Sequence, residues 1–232
     1  MWVKICGVTN TEDALAATEA GVDAIGLNFF RGSKRYVAPV MAATIAETIR
    51  ASSGGGSPDL VGVFVNSRAD EIVQIVRDVK LNAVQFHGEE SVELICSVHE
   101  QAPNVALIRA MRVSSDRLEV CLGELERLSK SVPLAACLLD AYVSGEYGGT
   151  GHQLGGELAA ALKTRLPSRF ILAGGLKPDN VAAAIRDFSP WGVDTASGVE
   201  TSPGHKDVTL MQSFIREARG ESIVERLSSA VQ

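Results

Sequence analysis

The chain has 232 residues, 46% hydrophobic and 5% aromatic, so its core must be packed from Val, Leu, Ile and Ala, the residues that fill parallel sheets and their covering helices. A formal net charge of -6, with no stretch gathering Lys and Arg on one face, argues against nucleic acid or an anionic membrane surface as partner. No apolar run reaches the roughly 20 residues that span a bilayer, the start lacks a signal-peptide pattern, and Cys6, Cys96, Cys121 and Cys137 lack metal or disulfide spacing, so a cytoplasmic protein with reduced thiols is expected.

Short apolar runs alternate with helical patterns along the whole chain. The first strand is expected at 2–6, followed by a helix at 11–20 that Asn10 or Thr11 can cap and Gly21 can stop. Strand and helix then recur at 23–29 and 40–51, 60–65 and 69–79, 83–86 and 90–100, and 105–109 and 115–128. The last units fall at 136–139 and 156–166, 170–173 and 179–188, and 193–195 and 207–219. Eight units favour closure over an open sheet, because right-handed crossovers around a closed ring leave no strand edge. The expected architecture is α/β, a single (β/α)8 barrel over residues 1–219, with a tail of no assigned role at 220–232. Two stretches interrupt the rhythm. The glycine-rich loop at 52–58 lies on the stability face, whereas 142–156 follows the sixth strand at its C-terminal end, where barrel enzymes build their sites.

Polar residues at the C-terminal strand ends converge in one bowl whatever their separation in sequence. In the first strand Lys4 and Cys6 share a face, while Val3 and Ile5 take the other and pack outward. An ammonium near a thiol favours the thiolate, so Lys4 is expected to draw the Cys6 pKa from about 8.5 towards neutrality and make it a usable base. The competing reading is a small buried hydrophobe. The sixth strand runs into Asp140, where desolvation would favour the protonated form that a general acid requires, against the alternative of a helix-capping or loop carboxylate.

Anion recognition has its own pattern. Ala173-Gly174-Gly175-Leu176 follows the seventh strand, and Ala196, Ser197 and Gly198 follow the eighth, so backbone N–H groups of both loops can approach a phosphate, as barrels commonly arrange. Gln85 and His87 share a face at the end of the fourth strand. Arg35, after the second, can offer a fork to a carboxylate or a flat face to an aromatic ring. His87 reads equally as a loop histidine, Arg35 as a solvated charge, and Asp194 as either a ligand for a hydroxyl or a support for its loop. No metal site is expected, and His99, His152 and His205 read as surface or loop residues.

These residues stand in segments that together resemble the phosphoribosylanthranilate isomerase family of tryptophan biosynthesis. The segments are Val3 to Thr9, Gly32 to Val37, Gly62 to Asn66, Val84 to Gly88, Leu139-Asp140, Gly148 to Gly151, Leu172 to Leu176 with Pro178 to Val181, and Val193 to Glu200 with Pro203 to Asp207. The resemblance implies an Amadori rearrangement of an aminoaldose to an aminoketose, with no cofactor and no metal. It makes Asp140 the acid that opens the ribose ring and Cys6 the base that removes the C2 proton. It places Arg35 beside the anthranilate and Gly174, Gly175, Ser197 and Gly198 on the phosphate, with Ala196 touching it through backbone, while Lys4, Gln85, His87 and Asp194 are expected to bind substrate from their strand-end positions. The implied partner is a small phosphorylated substrate, for a monomer or homodimer. The chain departs from the family pattern at Ala196, where a serine is usual, so backbone must supply that contact. It also lacks the aromatic often found in 152–157. Two other readings are weighed: the histidine-pathway aminoaldose isomerase, which carries a carboxylate where Cys6 stands, and a silent barrel that only binds a phosphorylated ligand.

Overall fold

A computed structural model describes residues 1–52, 56–112, 118–140 and 169–220. The apolar runs form β1 (Trp2–Cys6), β2 (Ala24–Asn28), β3 (Asp59–Phe64), β4 (Ala83–Phe86), β5 (Ala106–Arg112), β6 (Leu134–Asp140), β7 (Phe170–Ala173) and β8 (Gly192–Thr195). Each pairs in parallel with the next, and β8 pairs back to β1, closing the barrel. Helices cover it at Thr11–Glu19, Pro39–Ser52, Ala69–Val79, Val92–Gln101, Leu118–Ser131, Val181–Phe188 and Val208–Arg219. The expected loop at 142–156, the helix at 156–166 and the tail beyond Gly220 lie outside the described residues. Among those described, no helix is long and apolar enough to cross a membrane.

Helix starts follow from the capping residues. Asn10 accepts from Asp13 N at 2.8 Å, Ser91 from Leu94 N at 3.3 Å and Asp207 from Leu210 N at 2.9 Å, each such cap contributing about 1 kcal/mol.

Alternation along each strand divides the core in two. Outward residues such as Val3, Ile5, Ile25, Leu27, Phe64, Val84, Phe86, Leu139, Leu172 and Val193 pack against the helices. Inward ones form a separate core of Ala24, Val61, Ala83, Ile108, Ala110, Ala136, Leu138, Ile171 and Ala173. At the N-terminal end Trp2 stacks on Trp191 with ring centroids 5.1 Å apart and closes the floor. Gly192 makes this possible, since a Cβ there would stand 2.7 Å from the Trp2 ring.

Arg109 breaks the apolar pattern of β5. It points outward between barrel and helices, buried, and donates to Glu90 at 2.7 Å through Nη1 and to Glu124 at 3.0 and 2.7 Å through Nε and Nη2. Glu90 turns inward in response. Its carboxylate also accepts from Asn66 N at 2.8 Å and Gly88 N at 2.9 Å, so the helix expected from residue 90 begins at Val92. Removing Glu90 leaves Arg109 with Glu124 alone and strips the Asn66 and Gly88 N–H groups of their acceptor, so Glu90→Ala is expected to cost about 3 kcal/mol. Urea unfolding measures this, and an unchanged midpoint would remove the network from the account of stability.

Candidate active site

The C-terminal end of the barrel holds the polar members of the inward rows. On β1 the sequence Trp2, Lys4, Cys6 climbs from floor to rim on one face. Lys4 is in register with Asp194 of β8, and the pairing places its ammonium 2.8 Å from the Asp194 carboxylate, both side chains buried. Burial works against charge on Lys4, but Asp194 and Cys6 outweigh it and hold the ammonium pKa above its ordinary value. Cys6, half-buried, is in register with Gly26, where a Cβ would stand 2.7 Å from the sulfur. The glycine is there for room.

Lys4 acts on the thiol in the expected direction, but the net shift runs the other way. Burial is the largest influence on Cys6 and raises its pKa. Lys4 and Lys206 pull the other way, Asp194 adds to the rise, and the thiol ends above its ordinary value. A nearby cation lowers a thiol pKa only if it outweighs desolvation, and here it does not.

Across the bowl, Gln85 and His87 stand together as their spacing required, with Gln85 Nε2 at 3.1 Å from His87 Nδ1. The two side chains are within hydrogen-bonding distance, and which of them donates is set by the His87 tautomer. The Nε2 edge of His87 faces Asp140 Oδ2 at 3.6 Å, with 26% of the Asp140 side chain exposed to the bowl.

The loops after β7 and β8 lock together. Gly174 and Gly175 adopt φ of 96° and 65°, a left-handed pair that side chains resist, and Asn180 Nδ2 donates to Gly175 O at 3.1 Å. Thr195 Oγ1 donates to Leu176 O at 2.7 Å, and Gly198 lies so close to the Leu176 carbonyl that no Cβ fits. Ser197–Val199 form one 3-10 turn with Ser197 exposed and Ala196 just before it.

Arg35 does present a fork, but to a carboxylate of its own chain. Nε and Nη2 donate to the two Glu200 oxygens at 2.8 and 2.6 Å, with the side chain 25% exposed and lying across Gly7. Lys206 joins the same carboxylate at 2.8 Å. Burial opposes charge on Glu200, yet Arg35 and Lys206 together hold its carboxyl below the usual range. Glu200 and Lys206 belong to an antiparallel pair, β9 (Glu200–Ser202) and β10 (His205–Lys206), that the sequence reading did not place. Neither residue was singled out for a role, nor were Glu90 and Arg109. The visible signal was Arg109 inside an apolar strand. Among the described residues, no cluster of His, Cys, Asp and Glu could hold a metal ion.

The family model for N-(5'-phosphoribosyl)anthranilate (PRA) isomerase matches residues 3–217. The chain belongs to this family. A relative of that name from Trichlorobacter lovleyi is 40% identical over 217 residues, covering 94% of this chain and 97% of that one. The crystal structure of phosphoribosylanthranilate isomerase from Thermotoga maritima superposes with a TM-score of 0.77 at 39% identity, covering 95% of this chain and 99% of that one. A further crystal structure, of the isomerase in complex with reduced 1-(o-carboxyphenylamino)-1-deoxyribulose 5-phosphate, gives 0.76 at 36% identity with the same coverage.

Two outcomes follow from the β1 end. Gly26→Ala displaces the Cys6 sulfur, and since misplacement by about 1 Å can cost about 100-fold, kcat is expected to fall by that order while the melting temperature changes little. Alkylation of Cys6 by iodoacetamide, followed by peptide mass spectrometry to separate it from Cys96, is expected to keep rising with pH beyond about 8.5. Only the thiolate attacks, so a midpoint near neutrality would mean that the cations prevail over burial.

Proposed function

We propose that this chain acts in the cytoplasm and converts N-(5-phosphoribosyl)anthranilate into 1-(2-carboxyphenylamino)-1-deoxyribulose 5-phosphate, the Amadori step of tryptophan biosynthesis, by proton transfer alone. The observation that carries the reading is the match over nearly the whole chain to an isomerase family with a relative solved around the reduced product. The geometry supports it, since a thiol and a carboxyl face the same bowl from β1 and β6 beside two interlocked glycine loops.

In this reading Asp140 is the general acid that gives a proton to the ribose ring oxygen. The C1–O bond breaks, and the anthranilate nitrogen supplies the electron pair that forms the Schiff base. Cys6, as thiolate, removes the proton from C2, and those electrons neutralise the iminium to give an enolamine. Tautomerisation then moves the hydroxyl proton of C2 to C1 and leaves the ketone. Cys6 then loses its proton and Asp140 regains one by exchange with water, so atoms and charge balance without a redox partner.

The remaining residues orient the substrate. His87 presents its Nε2 edge on the Asp140 side of the bowl, with Gln85 against its Nδ1 edge. Lys4 and Asp194 meet beneath Cys6, near where the sugar hydroxyls would lie. Arg35, its fork held by Glu200 and its side chain 25% exposed, would lie beside the anthranilate ring. Backbone N–H groups at Gly174, Gly175, Ala196, Ser197 and Gly198 hold the phosphate, with Ala196 contributing no hydroxyl.

The test is the loss of phosphoribosylanthranilate fluorescence, with the substrate generated freshly and no metal or nucleotide added. Wild type is expected to turn over rapidly. Cys6→Ser and Asp140→Asn are each expected to lower kcat by at least about 100-fold while still binding a product analogue. A variant that kept near wild-type kcat would remove its residue from the proton-transfer scheme.

A further inference from the structure

Lys206 is a buried cation that the scheme above does not use. Its side chain is 0% exposed, and its ammonium sits 2.7 Å from Cys6 O, 3.0 Å from Ala196 O and 2.8 Å from Glu200 Oε1. An ammonium has three protons, and these acceptors use all three. None remains for a ligand, so whatever Lys206 does for the reaction it does through its partners.

Those partners belong to separate parts of the site. Cys6 O is the carbonyl of the residue assigned as base, at the end of β1. Ala196 O heads the 3-10 turn of the phosphate loop after β8. Glu200 accepts both hydrogen bonds of one edge of the Arg35 guanidinium, from Nε and Nη2. The lysine is itself fixed, its backbone N–H donating to Asp13 Oδ2 at 2.8 Å and Gly204 O, two residues earlier, accepting from Thr9 Oγ1 at 2.7 Å. Two cations around one carboxylate also leave a net positive charge behind the base and the phosphate loop.

We propose that Lys206 is a positioning residue that sets the end of β1, the head of the phosphate loop and the Arg35 guanidinium against one another, so that phosphate capture and alignment of the base are coupled. A shift of the loop at Ala196 moves the ammonium, and the ammonium carries the Cys6 carbonyl with it. The inference rests on the roles proposed above for Cys6 and residues 196–198. Its charge acts in the same direction, because Lys206 opposes the rise in the Cys6 pKa that burial produces.

The experiment uses the full chain with Lys206→Met and with Lys206→Gln, which keeps a short donor and loses the charge. Three readings are taken: kcat, the inhibition constant of inorganic phosphate, and the pH midpoint of Cys6 alkylation. In both variants kcat is expected to fall about tenfold or more, phosphate inhibition to weaken about fivefold or more, and the midpoint to move up. If the Met variant fails to fold, the Gln variant carries the same readings. A variant that melts earlier yet keeps wild-type phosphate inhibition and alkylation would show a packing role only and overturn the proposal. Should Cys6→Ser still turn over while the Lys206 variants shift both phosphate inhibition and alkylation, the base assignment falls and the coupling stands. With Cys6→Ser inactive and the Lys206 variants indifferent, the reverse holds.

Discussion

The seam between β8 and β1 is the pairing on which the rest depends. Its register sets Trp2 against Gly192, Lys4 against Asp194 and Ile5 against Thr195. Because strand side chains alternate, a slip of one residue would send every inward group outward. Trp2 would lose the space that Gly192 leaves, Lys4 would lose its counter-ion, and Cys6 would turn towards the helices. The same pairing brings the loop after β8 beside the loop after β1, which is why Lys206 can reach a carbonyl two hundred residues earlier.

Inside the ring, volume is distributed with purpose. Alanines at Ala24, Ala83 and Ala136 keep the lower interior slim, so that two tryptophans can fill the floor and the long Lys4 side chain can lie within the barrel. A buried ammonium is tolerable only when paired, since desolvating an ion costs several kcal/mol. Asp194 meets that need for Lys4, and two carbonyls and a carboxylate meet it for Lys206. Both cations hold the bowl in shape as well as charging it.

Much of this was legible in the sequence. Strand and helix alternation was visible because strands buried on both faces are short apolar runs, and period-two alternation alone put Lys4 with Cys6 and Gln85 with His87. What was hidden depends on long-range partners. Arg109 reads as an ordinary charge until Glu90 and Glu124 close around it, and Lys206, just past a Pro-Gly turn, has no periodic pattern to mark it. The hairpin it belongs to is too short to register as strands. The direction of the Cys6 pKa was hidden for a different reason. Sequence shows the neighbouring charge but not the depth of burial that opposes it.

The closed seam also has a history in time. β1 is synthesised first, yet one of its edges stays unpaired until β8 has been made, some 190 residues later. At ribosomal speeds of about 5–20 residues per second that interval is roughly 10–40 s. Throughout it the earliest strand presents an open row of backbone groups and an unstacked Trp2, the kind of edge on which chains associate wrongly. The nascent barrel is therefore most exposed to misassembly at its own beginning, and the arrival of Trp191 and Gly192 ends that exposure in one step.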